Sequence, residues 1–253
     1  MGTELYRAFQ LPVPDWTPLR VSDAFLDQNR YCWFATETGE LRPASGYCFG
    51  SRFLGWDDRK RLRFLHEALL RTEFCKIRNR RDFWLCWLID SCAEHTDPRQ
   101  VVFREERQGE FTAFFVDHGH MFGGPNGQLH PHFISSRYLD WRIYPMPSPD
   151  SMMEFSAIEF QQMVATARIE KLWDKVKELP EEWLNHDALR EFALCLDKLE
   201  KPQMLKSIHN ILLNLIEEAN KQYDRKRESE GDWSAFIRPR TGDVTALVPR
   251  IAV

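Results

Sequence analysis

Residues 82–119 read DFWLCWLIDSCAEHTDPRQVVFREERQGEFTAFFVDHG, and this stretch decides the fold that we expect. A helix over residues 83–94 would be apolar on nearly all of its faces, which is typical of a buried central helix. Asp82 is its predicted cap. Residues 101–103 and 111–116 have the composition of strands. The pattern therefore predicts a helix, a polar loop and a β-hairpin.

Two carboxylates flank the predicted hairpin. Asp97 lies in the polar loop after the helix, and Asp117 follows the last strand, two residues before Gly119. A tight hairpin brings both loops to one edge of the sheet, where two acids suit a divalent metal. In phosphoryl transfer one acid accepts the proton of the attacking hydroxyl, another holds Mg²⁺, and an amide side chain completes the metal shell. Gln100 has the position of that amide, so the order of elements is that of a kinase-type site.

At these residues the chain resembles the HipA-like kinase family. Two further segments support the resemblance. LPVP at residues 11–14 resembles the junction between the small-lobe helix and the next strand, and FGSRFLG at residues 49–55 resembles the hinge-strand region. The resemblance implies an α+β, protein-kinase-like (HipA-like) fold. It also implies a truncated small lobe and a predominantly helical large lobe.

The resemblance implies a division into three parts. Residues 1–55 would be the remnant of the small lobe and the hinge, and residues 56–228 the helical large lobe. Residues 229–253 lack any period, so we expect a loosely ordered tail there. Helical patterns predict helices over residues 58–71, from Ala157 and over residues 187–199 and 203–222.

The resemblance also assigns roles to individual residues. Asp97 would be the catalytic base, and Asp117 and Gln100 the ligands of Mg²⁺. ATP would contact the hinge-strand residues Ser51, Arg52 and Phe53. The acceptor would be a protein serine or threonine hydroxyl, in a toxin–antitoxin-type system. The chain departs from the family at Gln100, because the usual ligand is an asparagine five positions after the aspartate.

The basic half of a kinase site is missing from the sequence. A working kinase needs a small-lobe lysine and a loop over the phosphates, but no lysine precedes Lys60 and no Gly-rich loop is present. We therefore hypothesise that Met1 lies inside a longer domain. An antitoxin-like protein or a missing small lobe is the expected partner, and a kinase-like chain that is inactive by itself is one expectation.

Two alternatives remain open from the sequence. The first is a pseudokinase or interaction module, which the absent lysine and the replacements Gln100 and His95 favour. The second is a metal-dependent hydrolase, with Zn²⁺ or Mn²⁺ held by Asp97, Asp117 and histidines. The histidines that could serve are His95, His118, His120, His130 and His132.

Composition limits the class of partner. The formal net charge is −4, which argues against a general attraction to nucleic acid, although Arg78, Arg80 and Arg81 form a local basic cluster. No apolar run approaches the roughly 20 residues of a membrane helix, and the first residues do not form a signal peptide. The six cysteines contain no Cys-x-x-Cys pair. We expect a soluble, cytoplasmic protein without a membrane partner.

Overall fold

The structure is a computed structural model. It describes residues 1–37, 39–55, 65–66, 69, 71–97, 100–124, 157–167 and 169–201, with positions 203, 206, 207, 210 and 221. These residues form a mixed α/β fold of small antiparallel sheets and helices. In the described part of the chain, no helix is both long and apolar enough to span a membrane.

The first half of the chain contains both strands and helices, and helices fill the described part of the second half. Short 3₁₀ turns over Arg30–Cys32, Arg71–Lys76, Ile169–Lys171 and Glu181–Trp183 connect them. The elements are, in chain order, α1 (Gly2–Ala8), β1 (Trp16–Val21), α2 (Asp23–Gln28), β2 (Phe34–Thr36), β3 (Gly39–Leu41), β4 (Gly46–Ser51), β5 (Leu65–His66), α3 (Asp82–Cys92), β6 (Gln100–Arg107), β7 (Glu110–Val116), α4 (Ala157–Thr166), α5 (Leu172–Lys177) and α6 (His186–Glu200).

The predicted hairpin is confirmed as β6 and β7, which pair antiparallel from Gln100 with Val116 to Arg107 with Glu110. Their inward residues are buried because the strands alternate apolar and polar side chains. Asn79 covers the outer edge of β7, since its amide accepts from the Ala113 N–H at 2.9 Å and donates to the Ala113 carbonyl at 3.0 Å. A side chain thus takes the place of a neighbouring strand.

The predicted central helix is confirmed as α3, and its side chains form the middle of the hydrophobic core. Asp82, however, does not cap it. Asp82 is the first helical residue, Arg81 is the N-cap, and no side chain caps the helix there. The preceding turn positions Asn79 to donate from Nδ2 to Asp82 Oδ2 at 2.8 Å. The prediction of the cap was wrong because the chain enters the helix one residue earlier than expected: Arg81 occupies the N-cap position, which makes Asp82 the first helical residue.

Asp82 makes the stability of the protein depend on pH. Burial raises the pKa of Asp82 above its ordinary 3.8, and the Asn79 hydrogen bond opposes the shift. Below pH 3.8 the Asp82 carboxyl is protonated in both the folded and the unfolded protein, and its contribution to the free energy of unfolding is fully present. This contribution is lost as the pH rises through the raised pKa of the folded state. Asp82→Asn is expected to remove this loss, so its unfolding free energy relative to wild type rises by up to about 1 kcal/mol between pH 4 and 7. Urea unfolding at both pH values measures it, and a constant difference would contradict it.

Two short segments differ from their predicted form. Leu65–His66 forms β5 rather than part of a helix over residues 58–71, because Leu65 and His66 pair with Arg104 and Phe103 of β6. A two-residue strand has no sequence period of its own, so the pairing alone creates it. Residues 31–36 have the composition of a strand, but the strand β2 covers only Phe34–Thr36 because Arg30–Cys32 forms a 3₁₀ turn.

The helices predicted from Ala157 and over residues 187–199 are confirmed as α4 and α6. Asn185 caps α6 by accepting from the Ala188 N–H at 2.6 Å. Most of the predicted helix over residues 203–222 and the whole predicted tail over residues 229–253 lie outside the described residues. The three-part domain division stays a prediction.

Candidate functional site

The chain segments that follow α3 and β7 run side by side. We call residues 93–97 the Asp97 loop and residues 117–123 the Asp117 loop. Three backbone hydrogen bonds join them: Thr96 N–H to the His120 carbonyl at 3.0 Å, Phe122 N–H to the Ala93 carbonyl at 2.6 Å, and Gly123 N–H to the Glu94 carbonyl at 3.3 Å. The structure therefore brings the two loops that carry the predicted acids into contact.

His95 links the backbones of the two acids. Its side chain is buried, with Nδ1 2.6 Å from the Asp97 carbonyl oxygen and Nε2 3.2 Å from the Asp117 carbonyl oxygen. One imidazole ring thus fixes both loops relative to each other. Sequence reasoning took His95 only as a departure from the family and as a candidate metal ligand. The His-x-Asp spacing of kinase catalytic loops is the signal that could have identified it.

Asp117 and Gln100, the predicted metal ligands, touch each other. Gln100 Nε2 donates to Asp117 Oδ2 at 2.7 Å, because the antiparallel register sets the start of β6 beside the end of β7. Asp117 is exposed and has a φ of 55°, in the left-handed region that aspartate tolerates better than most residues. This conformation turns the chain sharply after Val116.

Asp97, the predicted catalytic base, is half-buried at the end of its loop. The loop is anchored from beneath by Glu94, which is 1% exposed and whose Oε1 accepts from Lys198 Nζ of α6 at 2.6 Å. Burial raises the pKa of the nearby Cys92 to about 12, so that thiol stays neutral. Because Lys198 lies on α6 and Glu94 on the Asp97 loop, this ion pair stabilises the Glu94 carboxylate and connects the helix to the loop.

A cavity of about 610 Å³ opens beside Asp117. This volume lies within the range of pockets for small molecules and cofactors. Its wall is formed by α1, the residues around β4, the start of the Asp117 loop and the turn before α6. The described lining residues are Met1, Gly2, Thr3, Pro14, Tyr47, Phe49, Ser51, Val116, Asp117, His118, Gly119 and Trp183.

The three hinge residues assigned to ATP have different positions. Ser51 lines the cavity. Arg52 is tied to Asp15, since its N–H donates to the Asp15 carbonyl at 2.7 Å and its guanidinium lies 3.6 Å from the carboxylate. Phe53 packs so closely on Gly55 that a Cβ there would lie 2.7 Å from its ring. Of the three, only Ser51 is among the lining residues that the structure describes.

One edge of β4 has no neighbouring strand in the described part of the chain. β1 and β4 pair antiparallel, with Pro18 opposite Phe49. Proline has no N–H to donate, so Pro18 and Phe49 cannot be a hydrogen-bonded pair. The Arg52 N–H bonds to the Asp15 carbonyl, and in an antiparallel ladder every second pair after this one is also hydrogen-bonded. By this alternation the backbone groups of Tyr47, Phe49 and Ser51 point away from β1. All three residues line the cavity, so the residues of this open edge form part of its wall.

The charge on the side chains that line the cavity is negative. Among the described residues that line it, Asp117 has the only charged side chain, and there is no lysine or arginine. The basic cluster of Arg78, Arg80 and Arg81 is not near it. Arg78 N–H bonds to the Phe111 carbonyl near the start of β7, and Asp117 follows Phe111 by six residue steps, roughly 20 Å of extended chain. Arg80 donates to the carbonyls of Cys75 and Ile77, and Arg81 lies 3.7 Å from the Glu159 carboxylate.

The described histidines do not assemble a transition-metal site. His118 packs against the Tyr6 ring at 4.5 Å between centroids, and His120 Nδ1 lies 3.4 Å from Thr96 Oγ1. Within the described ranges, no three His, Cys, Asp or Glu side chains form a group that could hold a metal ion. The other two candidates, His130 and His132, lie outside the described residues.

No protein-family model, curated protein or solved structure matches this chain. The HipA-like kinase resemblance therefore rests on the quoted sequence motifs.

Proposed function

We propose that this chain is a HipA-like, kinase-type module that binds ATP with Mg²⁺ in the cavity beside Asp117 and directs phosphoryl transfer to a serine or threonine hydroxyl of a protein. The observation that carries the proposal is the contact between Asp117 and Gln100 at the cavity, on a loop joined to the Asp97 loop through His95. Asp97, Gln100 and Asp117 follow one another in the order of the corresponding residues of protein kinases.

Asp117, which lines the cavity, and Gln100, which contacts Asp117, fit Mg²⁺. Magnesium takes oxygen ligands and is held by one or two carboxylates together with the phosphates of the substrate. Asp117 supplies an exposed carboxylate, and rotation of the Gln100 amide would present its oxygen in place of Nε2. A site with so few protein ligands suits a metal–nucleotide complex better than a hydrolytic zinc centre, which needs three protein ligands.

The cavity wall also fits a nucleotide. The outward N–H and carbonyl groups of Phe49 and Ser51 offer a donor and acceptor row of the kind that fixes a flat heterocycle. The aromatic side chains of Tyr47, Phe49 and Trp183 supply apolar surface around it. Bound ATP would provide the γ-phosphoryl group for transfer, while the half-buried Asp97 would accept the proton of the acceptor hydroxyl.

A second candidate is a pseudokinase that binds the nucleotide without transferring phosphate. The absence of lysine and arginine among the described lining residues favours it, because transfer needs positive charge to stabilise the phosphates. An antitoxin-like protein or a small-lobe partner could supply that charge. A protein partner of this kind and a cytoplasmic location are part of the proposal.

Asp97→Asn separates binding from transfer. We expect wild-type protein to bind Mg–ATP with a Kd of about 1 mM or tighter. Asp97→Asn is expected to lower transfer of radiolabelled γ-phosphate to protein serine or threonine by about 10²–10⁴-fold, with the Kd unchanged within about twofold. Calorimetry measures the Kd, and incorporation of the radiolabel into protein measures transfer.

The matched control is Asp187→Asn, an exposed aspartate on α6 whose side chain is 78% accessible, and it should change neither quantity. Binding without transfer by the wild type, unchanged in Asp97→Asn, would select the pseudokinase. Failure of the wild-type chain to bind Mg–ATP would reject both candidates.

A further inference from the structure

Two side chains from the turn before α6 grip the edge of β4. The Tyr47 N–H donates to Glu182 Oε1 at 2.7 Å, and Trp183 Nε1–H donates to the Tyr47 carbonyl at 3.2 Å. We call Glu182 and Trp183 the edge clasp. Together they satisfy both backbone groups of Tyr47 in the way that a neighbouring strand would. The clasp joins residues 135 and 136 positions apart in the chain.

The backbone at Gly46 lets the clasp close. Gly46 has a φ of 149°, which favours glycine, and a Cβ at that position would lie 3.1 Å from Glu182 Oε1. Any larger residue would push the carboxylate away from the Tyr47 N–H. The sequence thus provides the acceptor, the indole donor and the open space that their approach requires.

The edge clasp limits how many residues of the β4 edge are open to a ligand at the cavity. Of the three residues whose backbone groups face outward, Tyr47 is occupied, which leaves Phe49 and Ser51. Two alternate residues span roughly 7 Å of edge, which matches one flat heterocycle rather than an extended chain. The Trp183 ring also lines the cavity, so its indole N–H bond fixes part of the wall next to that edge.

We propose that Glu182 and Trp183 are specificity-determining residues that select the base of the bound nucleotide. This inference rests on the proposed nucleotide site. It adds that selection of the base depends on the β4 edge at Phe49 and Ser51, which we call the rim, and that Glu182 and Trp183 hold this rim in place. A fixed rim presents the backbone groups of Phe49 and Ser51 in one geometry, and only a base with matching edge groups bonds well to them. The phosphate end at Asp117 does not depend on the clasp.

The experiment measures the selectivity among the four magnesium nucleoside diphosphates. Calorimetry gives the Kd of Mg–ADP, Mg–GDP, Mg–CDP and Mg–UDP for three proteins. These are the wild type, the double variant Glu182→Ala with Trp183→Phe, and the conservative single variant Glu182→Gln. We expect the ratio of the weakest to the tightest Kd to fall at least about fivefold in the double variant. Glu182→Gln keeps an acceptor oxygen and should restore most of the ratio.

Amide exchange of Tyr47 shows whether the clasp has opened. Exchange should become about tenfold faster in the double variant and stay unchanged in Glu181→Gln, a neighbouring exposed glutamate outside the clasp. The melting curve of each variant checks its folding. Selectivity that stays within about twofold of wild type, although Tyr47 exchange has accelerated, would overturn the inference and leave the proposed function intact. Absence of nucleotide binding by wild type would overturn both.

Discussion

Replacing Lys198 with methionine is expected to destabilise the protein by about 3–5 kcal/mol. Lys198 Nζ lies 2.6 Å from Glu94 Oε1, and both side chains are buried, with 9% and 1% exposure of the residues. Methionine fills a similar volume but removes the charge, so the Glu94 carboxylate loses its ammonium partner in a medium of low polarity. Urea unfolding followed by circular dichroism measures the change in free energy.

The control is Lys201→Met, since Lys201 is exposed and its ion pair with Asp197 lies on the surface. A surface pair contributes about 1 kcal/mol at most. The double variant Glu94→Gln with Lys198→Met removes both charges and should recover part of the lost stability, because no uncompensated carboxylate remains. Equal losses in Lys198→Met and Lys201→Met would show that the Glu94–Lys198 pair does not support the Asp97 loop.

The second large effect is expected for Asp117→Asn, which should weaken binding of Mg–ADP by at least about tenfold while leaving metal-free ADP binding unchanged. Asparagine has the shape of aspartate and tolerates the left-handed backbone of Asp117, whose φ is 55°. The variant therefore removes the carboxylate charge without straining the turn. Calorimetry with magnesium and with EDTA separates the two contributions.

A comparison with Asp187→Asn corrects for the general change in charge. Loss of ADP binding in EDTA as well as in magnesium would mean that Asp117 supports the cavity structurally rather than through the metal. An unchanged affinity under both conditions would remove Asp117 from the metal site. The variant also differs from the edge clasp variants in its pattern, since it should weaken all four nucleotides equally and keep their ratio.

Strong local patterns predicted the main elements. The apolar run after Arg81 predicted α3, and the alternation in residues 101–103 and 111–116 predicted β6 and β7. These elements are long, and each buries a face that its own side chains define, so the period is visible before folding. Leu65–His66 was missed because a two-residue strand exists only through its pairing with β6.

The candidate site was predictable in part. Asp97, Gln100 and Asp117 could be selected because their order around a hairpin has a chemical meaning, and the register of β6 and β7 then brought Gln100 onto Asp117. The separate environments of Ser51 and Arg52 were not predictable. The two residues are neighbours in the chain, yet one lines the cavity and the other bonds to Asp15.

By itself the sequence determined where the central helix and hairpin lie and which acids flank them, since these follow from side-chain periodicity and spacing within residues 82–119. Only the tertiary structure decided that His95 binds both acid loops, that Lys198 of α6 neutralises Glu94, and that Glu182 and Trp183 hold the edge of β4. Apart from the contact of His95 with the Asp97 carbonyl, each of these contacts joins a side chain to a group at least 22 residues away in the chain. Such contacts depend on how the elements pack, and no local period encodes them.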